Sequence, residues 1–461
     1  MSAAKASAQM ARRVVEPRPQ PRQTQPHPAA ARSGVELFSG CGGLALGIAR
    51  AGFEHRLLVE WNEHACGTLS INGPTSGEHA AAMRAPHERP SRKSAHGPLE
   101  PWPLVCGDVR SIDWRAARET DSDSPLAGLA GLAELDLLAG GPPCQPFSSA
   151  GRKRGQEDPR DMWPEAIRAV RELTPRAFLF ENVPGLLSPT CAPYLHWIVE
   201  SLRRPQCARK RCESHEEHLE RLARSRTSLR YDVGVFQVNA ADFGAAQQRR
   251  RVVVAGLRRD PGDPETSLAA PIPTHSRAAL LWAQWVSGEY WARHGLCAPN
   301  SGPEDARDAA LVATLRASNE RPATLPWITT RDALVGLGEP NGENQHEFQP
   351  GAKIYRNHTG SALDLPAKVL KAGDHGVPGG ENMLVGEDGT PRYFSVREAA
   401  RLQGFPDSWL FNGKRGECMR QLGNAVPVPL AEALGRWIAQ ALDDRDRLAR
   451  LTLKAARKMA A

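Results

Sequence analysis

From residue 34 onward, short apolar runs alternate with stretches whose apolar residues recur at helical spacing, and nothing else in the chain restricts its fold as much. VELF (35–38) precedes LALGIARAG, RLLVE (56–60) precedes NEHACGTLSI, and WPLVCGD, ELDLLAGG, PRAFLFEN and QRRRVVVAGL follow in turn. Short apolar runs bounded by Gly, Pro or Asp read as strands buried on both faces. Strands that alternate with helices form parallel sheets covered on both sides. The expectation is an α/β fold on a doubly wound, mostly parallel sheet, with ligands bound beyond the carboxyl ends of its strands.

The rest of the chain is organised around that rhythm. Residues 1–33, with Pro17, Pro19, Pro21, Pro26 and Pro28 among arginines and glutamines, have too little apolar surface to fold and read as a disordered basic tail. Residues 34–258 form the first α/β region, interrupted at 74–101 by a polar insertion. From 259 to 394 the pattern dissolves among prolines, glycines and polar residues, which predicts a second, irregular domain. Helical spacing returns at 395–442, and 443–461 reads as a charged helix or tail. Basic residues exceed acidic ones by seven among 461, but the two ends carry the excess. A nucleic-acid surface must then be a local patch rather than a property of the whole chain. Candidates are Arg152, Lys153 and Arg154, the stretch Arg203 to Arg211, and Arg249 to Arg259.

No run approaches the roughly 18 apolar residues of a membrane span, and MSAAKASAQMARR lacks the apolar core of a secretion signal. A cytoplasmic protein with no membrane partner is expected. The nine cysteines have no framework spacing and read as free thiols in a reducing compartment. Cys207, Cys212, His215 and His218 are residue types that bind zinc, but their two pairs are compressed to a separation zinc sites do not use. No metal is expected.

The strand ends carry the chemistry. The first runs into Phe38-Ser39-Gly40-Cys41-Gly42-Gly43-Leu44, a glycine turn opening a helix, where the backbone can approach a ligand and free amides face it. The second ends at Glu60, twenty positions after Gly40, where a carboxylate can accept both ribose hydroxyls; Trp61 beside it can stack on adenine. Ala45 stands where a third fingerprint glycine would be, so this pair alone suits a nicotinamide cofactor as well as S-adenosylmethionine. Asp108 and Val109 close a third strand. The next strand delivers GGPPCQPFS, with Cys144 fixed between prolines, and the one after it Phe180-Glu181-Asn182-Val183. A buried Glu181 would have a raised pKa and could donate a proton.

In FSGCGGLALG, the GDV turn, GGPPCQPFSSAG, FLFENVPGLL, QQRRRVVVAG, FSVREAARLQGFPDSW and GNAVPVPLAEALG, the chain resembles the DNA (cytosine-5)-methyltransferases of bacterial restriction systems. The resemblance covers residues 34 to about 258 and about 391 to 440. Glu36 stands where that family usually has Asp, and Ala246 where Pro is common. The resemblance implies a fold of the S-adenosylmethionine-dependent methyltransferase type. It implies S-adenosylmethionine held by Phe38, Ser39, Gly40, Gly42, Gly43, Leu44, Glu60, Trp61, Asp108, Val109, Pro143, Asn424 and Ala425. It implies catalysis by Cys144, Glu181, Arg249 and Arg251, and contacts to double-stranded DNA from Gln145, Ser148, Arg152, Lys153 and Arg160 on a mobile loop.

The chemistry agrees with those residues. Carbon 5 of cytosine is a poor nucleophile until a thiolate adds to carbon 6; Cys144 is the thiol placed to do so, and Glu181 can hold ring nitrogen 3 and the exocyclic amine. The target must leave the duplex to meet the thiol. The expected enzyme is a monomer that modifies a specific DNA sequence, cytoplasmic and held near the nucleoid by its DNA; a cognate restriction endonuclease fits this reading but need not bind. An RNA (transfer RNA) cytosine-5 methyltransferase, a non-enzymatic DNA-binding module and a nicotinamide oxidoreductase are the rivals. Residues 259–394 are expected to read the target, with Asn341 to His346 and with Arg356, Asn357 and His358 as candidate contacts.

Overall fold

The computed structural model describes residues 32–72, 102–116, 129, 134–143, 161–260, 268–356, 358–372 and 382–460. The tail up to residue 31 and the insertion at 74–101 lie outside them. So do Asn357, Cys144, Gln145, Ser148, Arg152, Lys153 and Arg160.

Seven strands form the central sheet: β1 (Arg32–Leu37), β2 (Phe53–Glu60), β3 (Leu104–Cys106), β4 (Leu137–Gly140), β5 (Ala177–Asn182), β6 (Arg230–Asn239) and β7 (Arg250–Arg259). Their order is β3-β2-β1-β4-β5-β7-β6. The mostly parallel, doubly wound sheet read from the sequence is present. β4 and β5 are buried along their whole length, as expected of strands covered on both faces.

One strand departs from the expectation that every site residue sits at the end of a parallel strand. β7 runs antiparallel to both β5 and β6. Its first residues, not its last, therefore share an edge with the carboxyl end of β5, and that reversal delivers Arg251 to the site.

On one face of the sheet lies α3 (Trp163–Leu173), whose buried Trp163, Ala166, Ile167, Val170 and Leu173 follow helical spacing. Beside it are α4 (Ala192–Arg203) and α5 (His215–Arg224). The other face holds α1 (Gly43–Arg50) and the long α12 (Val428–Ala460); Leu430, Leu434, Ile438 and Leu442 of α12 are buried there at four-residue intervals. Helix α2 (Glu63–Asn72) follows β2. Helix α12 has 33 residues, about 50 Å at 1.5 Å per residue. Its continuity merges the two C-terminal segments that the sequence pattern separated at 442. Beyond that point the helix is tied to the sheet by ion pairs from Asp443 to Arg32 and from Asp446 to Arg176.

Residues 259–394 hold more regular structure than their composition suggests. They contain α6 (Arg277–Leu281), a π-turn (Trp282–Val286), α7 (Glu289–Arg293), α8 (Ala306–Ser318) and α9 (Thr330–Leu334). Trp282, Tyr290, Trp291 and Trp327 fill two small cores. Periodicity was weak because these helices are mostly five residues long. The chain then passes β8 (Met383–Val385) and β9 (Pro391–Tyr393) into α10 (Val396–Leu402) and α11 (Arg415–Asn424).

Candidate active site

At the end of β1 the backbone enters the left-handed region at Phe38 (φ 58°), Gly40 (φ 54°) and Gly42 (φ 87°). For Phe38 this costs of order 1–2 kcal/mol, a strain that occurs where a loop must be held in one shape. Gly43 is required by space: a Cβ there would lie 2.3 Å from the carbonyl oxygen of Val426. The turn therefore packs against the segment after α11, far along the chain.

A cavity of about 350 Å³ opens beyond these strand ends. Of the residues expected to hold a cofactor, Phe38, Ser39, Gly40, Gly43, Leu44, Glu60 and Trp61 line it, as do Asp108, Val109, Pro143, Asn424 and Ala425. Gly42 supports the turn from behind, its Cβ position 2.9 Å from Leu69. Asn62, Arg110, Arg420 and Gln421 also line the cavity and were not foreseen. They carry no motif of their own and reach it through folding.

Two acids of the cavity, Glu60 and Asp108, are held by different kinds of partner. Glu60 is buried, and each of its oxygens takes one backbone hydrogen bond, from Gly40 N and from Asn62 N, both at 2.8 Å. Burial pushes its pKa up, while the amides of Asn62, Gly40 and Trp61 and the charge of Arg420 pull it back. Asp108 instead caps a short turn and is gripped by Arg110, which holds its carboxyl below the usual range. Arg420 of α11 donates to the Asn62 side chain at 3.1 Å and so joins two walls that are 358 residues apart in sequence. Trp61 is 75% exposed at the rim.

Glu181, at the end of β5, lines the same cavity. It is not the isolated buried acid expected from its strand: the Nε of Arg251 lies 2.5 Å from its Oε1. Antiparallel β7 supplies that charge partner. The next residue, Asn182, donates to the Pro142 carbonyl at 3.1 Å and accepts from Val183 N, fixing the end of β5 to the segment that leads to Cys144.

Arg249 and Arg251 have separate partners: Arg251 meets Glu181, whereas Arg249, just before β7, reaches distant backbone. It is buried, with one guanidinium nitrogen donating to the Leu370 carbonyl at 2.8 Å and the other to the Gly423 carbonyl at 2.7 Å. Gln247 extends the clasp: its amide donates to Gln403 Oε1 at 3.0 Å.

Several residues read as base contacts are used elsewhere. His346 is buried between the Ser395 hydroxyl (2.8 Å) and the Gly338 carbonyl (3.2 Å). Gln345 makes two hydrogen bonds to the backbone of Phe411, and Asn344 bonds Asp407 and Arg397. Asn344, Gln345 and His346 of this stretch thus brace α10 and the segment after it, while 341–343 are exposed. His358 is buried beneath Tyr355, the rings 4.3 Å apart and nearly parallel; Arg356 is exposed. In the Cys207–His218 segment, His218 accepts from the Trp197 indole and contacts the Cys207 carbonyl. Its ring nitrogens thus serve the packing of α4 against α5.

A sequence profile of the C-5 cytosine-specific DNA methylases matches residues 33–83, 103–205 and 312–440. The chain is 30% identical over 415 residues to the Type II methyltransferase M.NgoMIV of Neisseria gonorrhoeae, covering 88% of this chain and 97% of that one. It is 29% identical over 423 residues to M.PspPI of Psychrobacter sp. (strain TA137), covering 90% and 81%. With M.NaeI of Lentzea aerocolonigenes the identity is 27% over 416 residues, covering 89% and 75%.

Proposed function

The chain belongs to the C-5 cytosine-specific DNA methylases, and from that premise we propose how its own residues transfer a methyl group to carbon 5 of a cytosine in a specific double-stranded DNA sequence. It is a DNA cytosine-5 methyltransferase of the restriction-modification kind, in a family that uses S-adenosylmethionine. The cavity fits that cofactor. Glu60 presents a buried carboxylate, fixed by backbone amides, where ribose hydroxyls can reach it, the Gly40 turn lines the cavity beside it, and Trp61 offers a ring at the rim. Bound there, S-adenosylmethionine supplies an electrophilic methyl group.

The protein's part falls to four side chains. The Cys144 thiolate adds to carbon 6 of a flipped-out cytosine, forming a carbon–sulfur bond as the ring electrons move to carbon 5. Glu181, oriented by Arg251 at 2.5 Å, hydrogen-bonds ring nitrogen 3 and the exocyclic amine as their charge changes. Arg251 also faces the cytosine oxygen. Arg249 holds the framework around them. After methylation the proton on carbon 5 passes to a base, which we take to be water, and the carbon–sulfur bond breaks to return the thiolate.

Around this centre, Gln145, Ser148, Arg152, Lys153 and Arg160 contact the DNA, and residues 259–394 select the sequence. The enzyme acts as a monomer in a bacterial cytoplasm; no described helix is long and apolar enough to cross a membrane. Glu181, paired with Arg251 and lining the same cavity as Glu60, carries the proposal. Expression in a host lacking such modification, followed by bisulfite sequencing, should reveal one protected sequence with the wild type and none with Cys144→Ser. Labelled methyl transfer to RNA but not to DNA would overturn the DNA assignment.

A further inference from the structure

Asp108 sits in the cavity wall with both of its oxygens engaged by one neighbouring side chain. A carboxylate offers about four lone-pair positions. Its Oδ1 accepts the Arg110 amide at 2.9 Å and the Arg110 Nε at 3.0 Å; its Oδ2 accepts the same Nε at 2.9 Å and the terminal guanidinium nitrogen at 2.5 Å. All four contacts come from one residue two positions away. Glu60, across the same cavity, takes one backbone hydrogen bond on each oxygen. The partners of Glu60 are fixed backbone amides, whereas those of Asp108 come mainly from a side chain that can move away.

Arg110 itself is a wall residue of the cavity. Its side chain is 54% exposed, so no packing locks it against Asp108. S-adenosylmethionine is rich in donors: two hydroxyls, an ammonium and an aromatic amine. Its hydroxyls suit Glu60, and a further donor that meets Asp108 competes with the Arg110 guanidinium for the same two oxygens.

Resting on the cofactor reading above, we propose that Arg110 is an internal competitor for Asp108: the guanidinium occupies the carboxylate until the cofactor's nitrogen donor displaces it, so cofactor affinity is set by an ion-pair exchange. Arg110 is a positioning residue in this scheme, acting through Asp108. Because the pair is solvent-exposed, salt weakens it. Rising ionic strength should therefore help the wild-type protein bind cofactor relative to a variant without the competitor.

The test is isothermal titration of the full chain with S-adenosylmethionine and, separately, S-adenosylhomocysteine, at low and high salt. Arg110→Ala and Arg110→Gln should each bind about two- to five-fold more tightly at low salt, the scale of an exposed ion pair. That advantage should shrink as salt rises. In an Asp108→Asn background the same Arg110 substitutions should bring no gain, because the exchange has lost its charged acceptor. Equal or weaker binding by both single variants, or an equal gain in the Asp108→Asn background, would overturn the proposal. A folded wild-type chain that binds neither compound would instead overturn the cofactor reading on which it rests.

Discussion

Glu36 and Glu60 are neighbours with the same side chain in opposite circumstances. Glu60 is met by backbone amides at 2.8 Å, whereas Glu36 is wholly buried and the Ser39 hydroxyl and Ala45 amide offset its burial only in part. Burial and the nearby charge of Glu60 push the Glu36 pKa well above its ordinary 4.5. The folded protein therefore keeps a proton that the unfolded chain releases. Stability contributed by this group is present below pH 4.5 and is lost as the pH rises toward the shifted value. Denaturant titrations across pH should show this decline in the wild type and a flatter profile in Glu36→Gln, which should equal or exceed the wild type at pH 8. Glu60 titrates in the same upward direction, so cofactor affinity should begin to fall on acidification at a pH above the usual carboxylate range. For Glu181→Gln, the chemical step should slow by about a hundredfold or more, read by single-turnover kinetics; a loss confined to DNA affinity would show that Glu181 only binds. Glu60, Asp108 and Glu181 were legible in the sequence because each ends an apolar run. Arg420 and Arg110 were not. One reaches the cavity across 358 residues of chain, and the other matters through a side-chain orientation that no spacing encodes.

Among the elements, β1 to β5 could be read from apolar runs alone, since a strand buried on both faces leaves little ambiguity. The direction of β7 could not, because parallel and antiparallel pairing use the same residues. The close approach of α1 to α12 was equally hidden, although Gly43 and Gly47 mark it afterwards. A Cβ on Gly47 would lie 2.3 Å from the Ala431 Cβ and 2.6 Å from the Glu432 nitrogen. In an open helix Gly→Ala gains about 1 kcal/mol. Here the overlap should reverse the sign, and Gly47→Ala should destabilise by about 1–3 kcal/mol, measured by urea unfolding. A stabilised variant would mean that the two helices can part without cost.

Across the whole molecule, Arg249 does what neither element packing nor catalysis alone accomplishes: it closes two distant stretches of chain over the sheet edge. Removing it leaves the Leu370 and Gly423 carbonyls without its hydrogen bonds, at about 1–3 kcal/mol for each buried group left unpaired. Arg249→Ala should therefore lower global stability by several kcal/mol and sensitise residues 358–372 to proteolysis. Arg251→Ala should abolish methyl transfer with a much smaller loss of stability. Equal losses of stability in the two variants, by denaturant titration, would erase this division of labour. The clasp also sets a schedule during synthesis. Gly423 follows Arg249 by 174 residues, roughly 10–35 s at ribosomal speeds of about 5–20 residues per second. Throughout that interval the nascent chain already has both catalytic strand ends, yet nothing holds the wall that faces them. A chain not yet extended past Gly423 therefore lacks the clasp that fixes this wall.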